Sequence, residues 1–466
     1  MRGLQSKLIP RFFRGQCLAP LASVGILLST SLRVNVYLFS FVEERVDRAE
    51  ALRLGYSQVV ITPSEPAGHV LAGYVRRKSR STGVHDDIKA GILTLEGGEA
   101  AALVTLDLLG VDEKLYSELY RLAERILGRA LLMVAGSHTH SAPASAFTSP
   151  LLTFGEEAFR EEYFSELLAA VEQGLLQATE ASSPASLAVA EAPVKGVATD
   201  RVNPSGKIDD TATLIIFRKP SGERCALLHF AVHPTVLGPD NLLISRDLVG
   251  YAVDEIARQL GLDTCFFANG AAANVSTRFT RRAQSFEEAE RLGKLLARQV
   301  VSAAGTLSWV SCSSLHARSA ACEVRLVNPR EKLEEALSSR SMEGAHGRVR
   351  ESVAEGFELL EKLAGAGNLP RAGEARVVGL RLGDNLDLVF LPFEIPSDFA
   401  LELKRSRGRR RLVVSYANGY YGYLAPRGAQ GYESLFELTR PEDKERIFET
   451  VRKLLGSDAD PGVCSA

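Results

Sequence analysis

From residue 53 onward, short apolar runs alternate with segments whose apolar positions recur at helical spacing. Gln58–Thr62, Ile92–Glu96, Ala101–Leu108 and Leu131–Ser137 are β-branched or apolar and bounded by turn residues, which predicts buried strands. Lys114–Ala130 and Glu156–Ala178 carry the helical pattern between and after them. A strand-rich block follows at Ser186–Val194, Thr211–Arg218 and Cys225–His233. Helix Val249–Leu260 and strand Thr264–Ala268 come next. Ser285 and Glu288 have capping-box spacing ahead of a helix reaching about Ala304. Residues 330–365 predict one or two solvent-facing helices. Two strands (Ala375–Leu382, Leu386–Pro392), a helix near Ser397–Lys404, a strand (Leu412–Ala417) and a terminal helix (Pro441–Leu455) complete the pattern. No repeat or low-complexity linker divides it. The pattern predicts one large mixed α/β domain over residues 51–466, a β-sheet core with surrounding helices, preceded by an extension of about 50 residues.

That extension breaks the pattern. Gly15–Leu32 holds no charged residue, follows Lys7, Arg11 and Arg14, and is separated by Arg33 from the apolar run Val34–Val42. A basic start before an apolar run is the order of a signal peptide or signal anchor. Pro20, Gly25 and several hydroxyl residues dilute it, and no clean small-residue cleavage site is evident. A disordered extension or an overlong start is the competing reading. The chain is membrane-associated or exported if residues 15–42 act as an anchor, and cytoplasmic otherwise.

Composition narrows the class more than the function. The 466 residues are 45% hydrophobic and 24% charged with a formal net charge of −2, which excludes a disordered, collagenous or multi-span chain and gives no global attraction for nucleic acid. Six scattered cysteines contain no C-x-x-C pair, so a thiol metal site or disulfide framework is not expected.

The eight histidines are unevenly placed, and chemistry concentrates near some of them. Gly136-Ser137-His138-Thr139-His140-Ser141-Ala142-Pro143 follows a predicted strand, whose alternation sends His138 and His140 to one side. Rigid, open strand tips suit zinc-ligating imidazoles; a pair of core or surface histidines is the alternative. His233 ends a second apolar strand just before Pro234, while His229, inside the run, reads as a core histidine. Asn269–Arg278 is a small-residue loop that places Ser276 on a turn, without being a G-x-S-x-G elbow. Glu394 follows a third apolar strand and needs a partner or water. Tyr420, Tyr421, Tyr423 and Tyr432 gather near the end, where packing is the usual explanation. The basic run Lys404–Arg411 reads as a solvated loop, with membrane or anion contact as the lesser alternative.

Taken in order, these segments resemble the neutral (alkaline, non-lysosomal) ceramidase family over roughly residues 54–440. G-S-H-T-H-S-A-P is similar to the family's G-T-H-T-H-S-G-P. His233-Pro234 through Tyr251-Ala252 resembles its second-histidine segment, Asn269–Ser276 its serine loop, Pro392–Glu394 its P-G-E, and Tyr420–Tyr423 its Y-x-x-Y. Gly83-Val84-His85 resembles an early G-x-H, which would set His85 at the border of the pocket.

The resemblance implies a zinc-dependent amidohydrolase that cuts the amide of an N-acyl sphingoid base by a zinc-activated water. It implies His138, His233, Glu394 and Tyr423 as Zn2+ ligands and Ser276 as the essential serine. His140, Arg201 and Tyr432 would flank the reacting carbonyl. A lipid or other small-molecule substrate is the implied partner, with membrane-surface contact in keeping. Departures bear on the substrate. The family's Gly-Asp ahead of the serine is Ala273-Asn274 here, P-G-E is Pro392-Phe393-Glu394, and the Tyr423 to Tyr432 spacing is shorter. The sequence ends about 40 residues after Tyr423, so the family's C-terminal immunoglobulin-like domain is not expected. Another N-acyl or ester substrate, a non-catalytic binding protein of the same fold, and a metal-independent serine hydrolase centred on Ser276 are the competing readings.

Overall fold

The computed structural model describes residues 52–456, apart from 311–313, 339–346, 367–368, 385, 406–407 and 430. The expected N-terminal extension lies outside the described residues, as does Arg407 of the basic run. All described residues fall in one unit, Val46–Ala466.

Three sheets carry the architecture. The first runs Leu131–Gly136, Glu99–Leu106, Lys89–Gly97, Arg53–Val60 and Ser183–Pro184 in spatial order. The second runs Thr264–Asn269, Arg224–Phe230, Thr211–Arg218, Ser186–Pro193 and Ser308–Val310. The third orders Leu315–Arg325, Ala372–Leu382, Leu386–Phe390 and Arg410–Val414. Period-2 alternation gives each sheet two apolar faces to cover. One inner core joins all three, through Leu93, Leu103, Ile215, Phe217, Leu380 and Leu412 among others. The outer face of the first sheet packs on helices Glu113–Leu127 and Glu161–Glu180, and that of the second on Asp247–Leu260 and Phe286–Ala303. This is the mixed α/β class that the pattern predicts.

Local signals account for the boundaries. Ser285 accepts a hydrogen bond from the Glu288 amide, capping its helix as the spacing predicts. Gly261, at φ 61°, closes Asp247–Leu260 in the left-handed conformation that glycine adopts without penalty. Strand Leu315–Arg325 carries no signal in the sequence. Its charged residues Arg318, Glu323 and Arg325 interrupt the apolar pattern, and exposure along it is irregular because it sits at a sheet edge.

The sheets meet at one corner. Each ends in a parallel pair, and the C-terminal ends of Leu131–Gly136, Arg224–Phe230, Thr264–Asn269, Leu386–Phe390 and Arg410–Val414 run toward it. Single bridges Ala135–Ala417, His233–Ser276 and Glu394–Tyr423 stitch the following loops together. Asn269, fully buried, donates to the Ser137 and Val232 carbonyls at 3.0 and 2.8 Å and accepts from the Val232 amide. Loops beyond the carboxyl ends of strands are where open α/β folds collect ligand-binding groups.

Candidate metal centre and catalytic cavity

His138, His140 and His233 lie together at this corner, buried, with one ring nitrogen of each within 4.8 Å of the others. Strand alternation is not what pairs His138 with His140. The strand stops at Gly136, and His138 takes a left-handed backbone with φ 68°. A non-glycine residue there costs on the order of 1 kcal/mol. The conformation is held by a hydrogen bond from the His138 amide to the Leu108 carbonyl and by the His138 ring stacking on Tyr416 at 3.9 Å. His233 likewise stands beyond its strand, which ends at Phe230. The His140 ring packs so closely on Gly73 that a Cβ there would come within 2.4 Å.

The outward ring nitrogens fix the tautomers. His138 Nδ1 lies 2.7 Å from the Leu109 carbonyl, and His233 Nδ1 lies 2.8 Å from that of Ala272. A carbonyl only accepts, so both Nδ1 atoms carry hydrogen, and a neutral ring in either place turns its Nε2 lone pair inward. Burial, with His233 and Arg201 nearby, lowers the His138 pKa to about 3, so that ring stays neutral near pH 7.

Glu394 faces those lone pairs. Its Oε2 is 3.1 Å from His233 Nε2 and 3.7 Å from His138 Nε2, and its side chain is 2% exposed. Burial alone would raise this carboxyl, but the two imidazoles, when protonated, and the Tyr420 hydroxyl outweigh it and lower it to about 2; with the rings neutral, that positive charge has to come from a cation. Tyr420 donates to Oε1 at 2.5 Å, and the Tyr416 hydroxyl lies 3.4 Å from Oε2. Tyr423 brings its hydroxyl to 3.3 Å from His233 Nε2, and His140 Nε2 lies 3.3 Å from His138 Nε2. Lone pairs and a carboxylate converging on one buried point repel each other unless a cation lies among them. The donor set therefore fits a divalent metal with nitrogen and oxygen preference.

A cavity of about 460 Å³ opens onto this cluster. Its walls include His140, Arg201, His233, Ser276, Tyr423 and Tyr432, so every residue expected as a ligand or at the reacting carbonyl lies on it or on the cluster behind it. The Arg201 guanidinium lies 5.2 Å from the Tyr423 ring centre and 4.9 Å from that of Tyr432. Burial alone would lower its pKa, but Glu433, with which it pairs through Nε, raises it well above the usual arginine value. Arg201 Nη2 is buried without a hydrogen-bond partner. Behind His138, Leu109, Leu151, Phe154, Leu363 and Phe436 form a narrow apolar slot.

His85 departs from expectation. It stacks on Phe286 at 3.6 Å and bonds Tyr251 through Nε2, and it is absent from the walls of both the cavity and the slot. The strand it follows pairs with Leu243–Ile244, and the His85 amide donates to the Ile244 carbonyl. His229 is the core residue expected, with Nε2 2.7 Å from the Val413 carbonyl. In the basic run, Lys404 pairs with Asp209, Arg410 with Glu191, and Arg409 and Arg411 with Asp387. Glu433 and Tyr416 carry no signal of their own. Glu433 is a single acid in a four-residue helix, and only the fold brings it to Arg201, 232 positions away.

Asn274 uses both halves of its amide. Its Nδ2 donates to Asp200 Oδ2 at 2.7 Å, while its Oδ1 accepts from the Ser397 amide at 3.0 Å. Its backbone carbonyl accepts from the Arg201 amide. Asn274→Asp would set two carboxylates against each other. We expect about 2 kcal/mol lost at pH 7. Like-charge repulsion raises the folded-state pKa of the pair. The loss is therefore absent well below the unfolded-state pKa of about 3.9, where both are protonated in either state, and grows as pH rises through it. Denaturation across pH, set beside the parent chain, checks the sign.

The fold has counterparts among solved structures. A crystal structure of neutral ceramidase from Pseudomonas aeruginosa matches with a TM-score of 0.68 at 20% identity, over 86% of this chain and 73% of that one. A ceramidase complexed with C2 matches at 0.67 and 20%, over 86% and 74%. The molecule thus has the ceramidase fold. Residues 53–276 also match the family described as neutral/alkaline non-lysosomal ceramidase, N-terminal. This bears out the resemblance read from the motifs. The matched stretch carries His138, His140, Arg201, His233 and Ser276; Glu394, Tyr423 and Tyr432 lie beyond it. Among the described residues, no helix is long and apolar enough to cross a membrane.

Proposed function

We propose that this protein is a zinc-dependent amidohydrolase that cleaves the amide bond of an N-acyl sphingoid or related lipid. The observation that carries the reading is the convergence of the His138 and His233 lone pairs and the Glu394 carboxylate beside a cavity of substrate size. The family match over residues 53–276 and the ceramidase fold support amide hydrolysis as the chemistry.

His138, His233, Glu394 and Tyr423 would hold the metal. Zinc in such a shell supplies Lewis acidity and brings the pKa of a bound water to about 7. The chain's own groups do the rest. Arg201, buried and lining the cavity, meets negative charge developing on the carbonyl oxygen, with Tyr432 beside it. His140, on the walls of both cavity and slot, is placed to pass a proton to the leaving amine. Ser276 is held against His233 by their bridge, and its Oγ accepts from the Arg278 amide at 3.2 Å, which orients it toward a substrate hydroxyl. The 3.3 Å approach of His140 Nε2 to His138 Nε2 favours a second reading, in which His140 is itself a ligand.

Metal analysis joined to an amidase assay tests both. We expect Ser276→Ala to keep its zinc while turnover falls by about a hundredfold or more. A variant without zinc would show that Ser276 acts on the metal rather than the substrate. His140→Ala should also retain zinc, and its loss would make His140 a ligand. Wild-type protein that binds zinc but cleaves neither a short-chain ceramide nor a simpler N-acyl amine would overturn the hydrolase reading.

A further inference from the structure

Two spaces meet at the candidate centre, and they differ in chemistry. Among the described residues, the cavity of about 460 Å³ has Pro239 and Ala283 as its purely aliphatic walls, and the rest is polar, charged, phenolic or glycine. The second space is the slot behind His138. It begins at His138, His140, Glu394 and Tyr423, and its apolar walls are Leu109, Leu151, Phe154, Leu359, Leu363 and Phe436. It measures about 30 Å³. A space of that size holds about two water-sized groups.

The slot is a blind end in the core. Leu109, Leu151, Leu359, Leu363 and Phe436 are each 6% exposed or less and belong to one buried cluster. Close-packed walls of this kind do not part for a longer chain without cost. The remaining apolar wall is Phe154, half-buried. Phe154 and Gly73 are shared with a separate groove of about 90 Å³, which Val70, Leu71 and Leu152 also line. The Phe154 ring therefore divides the slot from the groove. Its backbone ends the short helix Pro150–Thr153 at φ 55° and ψ 37°, a left-handed setting that glycine adopts without penalty and phenylalanine does not.

An amide presents a different chemistry on each side of its carbonyl. Ser276 and the polar cavity suit the hydroxyls of the amine, which leaves the apolar slot for the acyl group. Arg282, Ala283 and Gln284, on the cavity wall, are exposed, so a long chain on the amine has a way out to solvent. The acyl group has none. We infer that the substrate carries a short acyl group, acetyl or propionyl, seated in the slot with Phe154 as its stop. Acyl chains of six or more carbons are rejected by Phe154 and the core leucines. This selectivity rests on the amide-hydrolase reading above.

The test uses the full chain loaded with zinc and the N-acetyl, N-hexanoyl and N-lauroyl amides of sphinganine and of ethanolamine. For at least one amine we expect kcat/KM of the acetyl amide to exceed that of the lauroyl amide by about a hundredfold or more. Phe154→Gly joins slot and groove at a position whose backbone suits glycine, and it should reduce that ratio by about tenfold or more. Phe154→Leu shortens the stop while keeping an apolar side chain, and it should fall between Phe154→Gly and the parent. Calorimetric binding of the same amides to zinc-loaded Ser276→Ala separates the two claims. Lauroyl amides cleaved as well as acetyl ones, or a ratio unmoved in both Phe154 variants, would overturn the selectivity and leave the hydrolase standing. Tighter binding of acetyl than lauroyl amides, with no amide cleaved by the parent, would overturn the hydrolase and leave the selectivity standing. Neither binding nor cleavage of any amide would overturn both.

Discussion

Glu394→Gln is expected to weaken zinc binding by about a hundredfold or more and to lower kcat/KM for amide hydrolysis by about a thousandfold. The substitution keeps the shape of the side chain, so the loss is one of charge. Glu394 is 2% exposed, and its two oxygens already accept from Tyr420 and face His233 and His138. It is the carboxylate at a centre whose other donors are imidazoles and a phenol, and a divalent ion there needs that charge to offset its own desolvation. Without metal, the same carboxylate opposes two imidazole lone pairs. Metal-free Glu394→Gln should therefore melt no lower than the metal-free parent, while the parent alone gains stability as zinc is added. A variant that kept full metal affinity would remove Glu394 from the ligand set.

The largest effect on stability is expected at Glu433. Its carboxylate pairs with Arg201, and the two side chains are 2% and 6% exposed. Deleting one member of a buried pair leaves the other charge without its partner, at about 3–5 kcal/mol. Glu433→Gln should lower the denaturation free energy by about that amount and loosen the guanidinium that lies over the Tyr423 and Tyr432 rings. The double substitution Glu433→Gln with Arg201→Met should recover part of the stability, because neither charge is then buried, yet recover no activity. Equal stability in the single variant and the parent would mean that the pair has solvent access.

How much of this was legible before the fold was known differs between layers. The sheets were visible as apolar runs bounded by turn residues, and Thr211–Arg218 forms with the bounds its pattern predicts. Leu315–Arg325 was not, because an edge strand needs no continuous apolar stripe. At the site, the residue types and their place after strands were readable, and the resemblance supplied their order. The reason His138 and His140 converge was not readable. Alternation predicts it for a strand, whereas the structure achieves it with a left-handed residue locked by Leu108 and Tyr416. Nor could any local pattern give Glu433, whose role arises because the fold brings it to Arg201, 232 positions away.

We propose that the lone pairs and carboxylate at the corner where the sheets meet hold a zinc ion that the chemistry requires. The most direct test is the zinc content of the purified chain, measured by mass spectrometry alongside amide hydrolysis. About one zinc per chain is expected, removed by a chelator together with activity and restored by stoichiometric zinc. Amide hydrolysis that persisted in protein stripped of metal, or a chain that took up no zinc at all, would contradict it.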